Sequence, residues 1–72
     1  MLGRKTWEYV TLEWIWQEAQ IRVDRPGGDV HRAEGSYPQV VEALNELGRE
    51  GWEVVGEAAA GNWILWTLKR ER

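Results

Sequence analysis

Apolar side chains recur along the chain first in an alternating period and later in a helical one, and the switch between the two predicts the elements. From Thr6 to Gln17 the run is rich in aromatic and β-branched residues, as a strand prefers. Alternation puts Trp7, Tyr9, Thr11, Glu13 and Ile15 on one side and Glu8, Val10, Leu12, Trp14 and Trp16 on the other. Neither side is plainly polar. Ala19 to Val23 continues or pairs with this strand. Asp24-Arg25-Pro26-Gly27-Gly28-Asp29 then supplies turn chemistry, Pro presetting φ and Gly accepting positive φ. The pattern predicts a mobile loop over about 24–35, with Val30 to Arg32 as a weak hairpin return.

The helical period begins at Ser36-Tyr37-Pro38-Gln39, which has the form of a capping box with Pro tolerated in the first turn. Pro38 disfavours helical geometry at Tyr37, which makes Tyr37 the alternative cap. Tyr37, Val40, Val41, Leu44 and Leu47 follow one amphipathic face, and the helix should end near Glu50 with Gly51 in the left-handed conformation. Gly48, on the side of Val41 and Leu44, is expected to let helix and sheet approach closely. Trp52 to Glu57 reads as a strand, Ala58 to Gly61 as a small-residue turn, and Asn62 to Lys69 as the closing strand, with Trp63, Leu65 and Thr67 opposed to Ile64, Trp66 and Leu68. The expected fold is α+β: one domain over 1–72, with an antiparallel three- to four-stranded sheet and one helix packed on one face.

The residues Trp7-Glu8-Tyr9-Val10, the stretch Leu44-Asn45-Glu46-Leu47-Gly48-Arg49-Glu50-Gly51-Trp52-Glu53-Val54-Val55 and the ending Leu68-Lys69-Arg70 resemble the small bacterial and phage proteins grouped as domain of unknown function 4177. The resemblance covers most of the chain in order, departs from about Trp14 to Gly35, and implies strand, helix, strand, strand. It implies no reaction.

Composition sharpens one point. Six Trp and two Tyr stand in 72 residues without a Phe, and each large aromatic can bury about 150–250 Å². A helix of about 14 residues, roughly 21 Å long, covers one sheet face and leaves the other, equally apolar, in water. Apolar patches beyond about 300–600 Å² usually mark an interface or ligand site. The expectation is a homo-oligomer, a dimer or higher, joined face to face or by edge strands, with Trp7, Tyr9, Ile15, Trp63 and Trp66 at the interface. The plain alternative is that Trp side chains fold over polar neighbours while the loop packs on the second face. Small domains often rely on disulfides, metals or oligomerisation; the chain has no Cys and a single His, so self-association is the device left over.

The formal net charge of −3 is spread rather than blocked, which argues against duplex nucleic acid and anionic membranes but leaves room for a small anionic ligand or a protein partner. No apolar run reaches the length of a membrane span, and the cysteine-free chain is expected to be cytoplasmic. Arg22, Arg25, His31 and Arg32 lie on or beside the expected loop, and Trp14 and Trp16 lead into it. Guanidinium groups bind phosphates and indoles stack on bases, so these six are candidates for a nucleotide-binding, sponge-like oligomer. His31 is also the one candidate for a small enzyme, although no nucleophile motif accompanies it; a solvated loop histidine is the simpler reading. Glu42, Glu46 and Glu50 make an acidic stripe that reads as an ordinary solvated helix face, and Gly27-Gly28 alone reads as a turn. The expectation is therefore a non-catalytic binding or assembly module, with no catalytic residues, metal site or cofactor.

Overall fold

The computed structural model describes residues 4–72. Strands β1 (Trp7–Ile15), β2 (Gln20–Arg25) and β3 (Asp29–Glu34) are followed by helix α1 (Tyr37–Arg49) and strands β4 (Glu53–Ala60) and β5 (Trp63–Glu71). The sheet is fully antiparallel in the order β3-β2-β1-β5-β4, so the first and last strands pair at its centre. The α+β reading holds, but the sheet has five strands rather than three or four.

The extra strand lies where a mobile loop was expected. Residues 29–34 zip onto β2 from Arg25↔Asp29 to Gln20↔Glu34, and only Pro26–Gly28 is left as the turn, with Gly27 and Gly28 at φ 85 and 83. This hairpin is built from backbone pairing, to which an alternation of side chains gives no clue because every β3 residue is exposed. Trp16 leaves the strand and opens a short 3-10 turn, Trp16–Glu18, closed by Ala19 in the left-handed region.

Helix α1 starts at Ser36. The backbone N–H of Ser36 donates to Gln39 Oε1 at 2.9 Å, and the Ser36 hydroxyl donates to the same oxygen at 2.6 Å. A Cβ at Gly35 would sit 2.5 Å from Gln39 Cβ, so this entry admits only glycine. At the other end Gly51 has φ +96, Gly51 N–H donates to Gly48 O and Trp52 N–H donates to Leu47 O, the paired bonds of a Schellman motif. Its usual apolar contact is present too, since Leu47 and Trp52 both enter the core. Gly48 does not serve a close approach: a Cβ there would meet open space. Its side chain direction lies off the buried stripe, which is Val40, Ala43, Leu44 and Leu47.

The core is one layer between helix and sheet. Val10 and Leu12 of β1, Ile21 and Val23 of β2, and Trp66 and Leu68 of β5 pack with Val40, Leu47 and Trp52. These residues share the helix side of the sheet by register, Leu12 standing between Val23 and Trp66, and Val10 beside Leu68. The radius of gyration is 13.3 Å, against about 11 Å for a compact domain of this length. The molecule is a covered sheet rather than a ball.

Candidate functional site

The sheet face away from the helix is the largest surface left without cover. Register places Trp7, Tyr9, Thr11, Glu13 and Ile15 of β1 there, flanked by Gln20, Arg22 and Asp24 on β2 and by Trp63, Leu65, Thr67 and Lys69 on β5. Cross-strand contact sets its character from one end to the other. Ile15 stands opposite Trp63 and Gln20, Glu13 opposite Leu65 and Arg22, and Ala58 and Ala60 of β4 extend the apolar corner beside Leu65 and Trp63. Beyond them lie Tyr9, 54% exposed, and Trp7, 39% exposed, whose ring carries the Lys69 ammonium 4.1 Å from its centroid. That cation–π contact screens one indole and leaves the Ile15, Trp63 and Leu65 corner half-buried by its strand neighbours alone.

Four of the five expected interface residues therefore share this face. Trp66 does not. It lies under the helix at 8% exposure, because it stands an odd number of residues, three and one, from Trp63 and Leu65 and so points to the opposite side of the strand. The sequence reading set Leu65 on the side of Trp63 without naming it for the interface, and it missed Ala58 and Ala60, which emerge only once the register of β4 is known.

The six ligand candidates do not converge. Arg22 and Arg32 are directly opposite each other on the open face, lining a cleft of about 350 Å³ with Glu13, Ile15, Gln20 and Glu34. Arg22 Nε already donates to Asp24 Oδ1 at 2.9 Å, and the two glutamates make the cleft mixed in charge rather than basic. Arg25 and His31 lie on the helix side, along a second cleft of about 310 Å³ floored by Ile21, Val23 and Leu47 and edged by Glu34, Glu42 and Glu46. Trp14 also faces the helix. Its Nε1–H donates to Gly35 O at 3.1 Å, and its ring meets Trp16 edge-on at 6.1 Å and Tyr37 at 5.8 Å. Trp16 is 43% exposed at the end of this trio. Within one subunit the candidates thus divide between the two sides of the sheet, Arg22 and Arg32 on the open side and Arg25, His31 and Trp14 on the helix side.

No family model, curated protein or solved structure matches the chain. The local chemistry therefore has to be read from the geometry itself. Among the described residues no group of three or more His, Cys, Asp or Glu side chains is arranged to hold a metal ion, and no helix is long and apolar enough to cross a membrane.

The tightest polar cluster ties the helix C-terminus to the sheet. Arg25 forks onto Glu50 at 2.9 and 3.3 Å. Arg70 donates to Glu8 Oε2 at 2.6 Å and to the Glu50 carbonyl at 2.9 Å while lying 4.2 Å over the Trp52 ring. The hydrogen bond from Arg25 holds the Glu50 carboxyl below its ordinary range, and the same contact raises the already high pKa of Arg25. Trp52 adds a smaller share to the lowering at Glu50, although its buried Nε1 has no partner within hydrogen-bond distance; that contact is a long, weak one. Every member of the cluster is engaged within the fold, which marks it as a structural clasp.

Proposed function

We propose that the protein is a non-catalytic assembly module that binds a second copy of itself through the open sheet face. The observation that carries this reading is the sheet face that the helix does not cover, where Ile15, Trp63 and Leu65 stand together and only half-buried. Its chemistry suits a twofold contact: an apolar corner at Ile15, Trp63 and Leu65 adjoins a belt that carries both signs, Glu13 and Glu34 beside the paired Arg22 and Arg32, so a copy rotated by half a turn can meet acid with base. Both edges of that belt are exposed enough to re-pair without unfolding anything.

Light scattering coupled to size exclusion tests the reading. The expected mass at micromolar concentration is twice 8.4 kDa or a higher multiple, and Leu65→Glu, which sets a carboxylate into the apolar corner, should weaken association at least tenfold. A chain that stays at 8.4 kDa across the accessible concentration range would remove the proposal.

A further inference from the structure

The two edges of the sheet are built differently. β3 is six residues long and carries Asp29, His31, Arg32 and Glu34, the charged lining with which natural edges repel stray strands. β4 is eight residues long, reads Glu-Val-Val-Gly-Glu-Ala-Ala-Ala, and is exposed at every position. It holds no Lys or Pro, and its outer backbone groups meet no other segment among the described residues. Its protection is limited to Glu53, Glu57 and the bulge at Val55, between Val54↔Leu68 and Gly56↔Thr67. A bulge disrupts pairing locally, so residues 56–60 remain as a straight edge that only Glu57 guards.

We infer that β4 pairs antiparallel with β4 of a second copy about a twofold axis through Ala58, joining two sheets into one of ten strands. This rests on the self-association reading and adds a second contact to it. Side-chain faces and charge together select the register. An axis perpendicular to the sheet keeps the two helices on one side, so residues of the same face must oppose one another. On β4 the helix side carries Glu57 and Ala59, paired with Trp66 and Ile64, and the open side carries Gly56, Ala58 and Ala60, paired with Thr67, Leu65 and Trp63. Centring on Ala58 puts Glu57 opposite the other copy's Ala59 and Gly56 opposite its Ala60. Centring one residue earlier sets Glu57 against Glu57, which like-charge repulsion disfavours. Four small residues and one glutamate cannot supply the area of a standard interface alone. The edge contact therefore joins subunits that the open face also holds, and the two isologous contacts together close a tetramer.

The register gives a test with opposite signs. Ala59→Glu places a carboxylate against Glu57 of the other copy twice per axis, whereas Ala59→Lys places an ammonium there; neither touches the open face, and position 59 is exposed. Native mass spectrometry and light scattering on the full chain should show a tetramer of four 8.4 kDa subunits for the natural sequence. Ala59→Glu should halve the mass to the face-joined dimer, with at least a tenfold loss of tetramer affinity, and Ala59→Lys should retain or strengthen the tetramer. Circular dichroism checks that both variants stay folded. Equal behaviour of the two variants overturns the edge pairing, whatever the mass of the natural chain. The outcomes separate from those of the face: a dimer dissociated by Leu65→Glu but indifferent at position 59 leaves the face and removes the edge, and a dimer broken by Ala59→Glu alone leaves the edge and removes the face.

Discussion

The two faces of the sheet carry similar side chains and meet different fates. On the helix side Val10, Leu12, Trp66 and Leu68 are buried, while on the other side Ile15, Trp63 and Leu65 keep part of their surface in water. The difference is cover, not composition. One helix can shield about one face, and the residues beneath it become a core whose loss is felt in stability, whereas the uncovered residues should be felt in association.

Substitution at matched positions exposes that contrast. Leu12→Ala removes a fully buried side chain from the centre of the covered face, and should cost about 2–5 kcal/mol, enough to unfold a domain whose core supplies only about 3–5 kcal/mol. Urea denaturation at low protein concentration measures it. Leu65→Ala on the open face should cost the isolated subunit less than about 1 kcal/mol in the same assay, surface changes being mild, yet lower the concentration dependence of the midpoint. If both variants lose equal stability when the chain is monomeric, the distinction between the faces fails.

Smaller effects sharpen the helix side alone. Gly51→Ala forces a Cβ onto φ +96 and should cost about 1 kcal/mol or somewhat more, read as a lower thermal midpoint. Least of all, Glu50→Gln removes a half-exposed ion pair worth below about 1 kcal/mol after solvent screening. Glu50 has a depressed pKa in the fold, so its contribution is present above the ordinary carboxylate range and is lost as pH falls through the lower, folded value. The gap in thermal midpoint between Glu50→Gln and the natural chain should therefore be full above the ordinary carboxylate range, shrink as pH falls through it, and close once pH is below the lowered, folded value. A gap that persists at the acid end would detach Arg25 from the effect.

Much of this was legible beforehand, for physical reasons that differ by element. The helix announced itself through Ser36, Gln39 and Gly51, because caps are local chemistry. The partition of β1 into two sets followed from alternation, which cannot say which set meets the helix; Val10 and Leu12 win because Val40 and Leu47 lie over them. β3 showed beforehand only as a weak hairpin return at Val30 to Arg32, because backbone pairing leaves no apolar trace. The six ligand candidates stand apart within one subunit for a related reason: Arg22 and Arg25 are three residues apart and so take opposite faces, an odd step that a loop would have blurred but a strand enforces. β4 ran longer than expected because alanine, chosen by neither turn nor strand, was read with the glycine beside it.

The pairing of β1 with β5 has a consequence for how the chain is made. Nine residues near the start match nine near the end, and Arg72 N–H donates to the Thr6 carbonyl at 3.0 Å. A nascent chain that has emerged as far as α1 holds the β1-β2-β3 meander and a helix, with β1 still bare along one side, so closure waits on β5 and should be slow for so small a domain. The same adjacency lets Thr6 and Arg72 be bridged by a short linker and the chain reopened at Gly61, which would turn its most distant partners into a local hairpin and quicken folding.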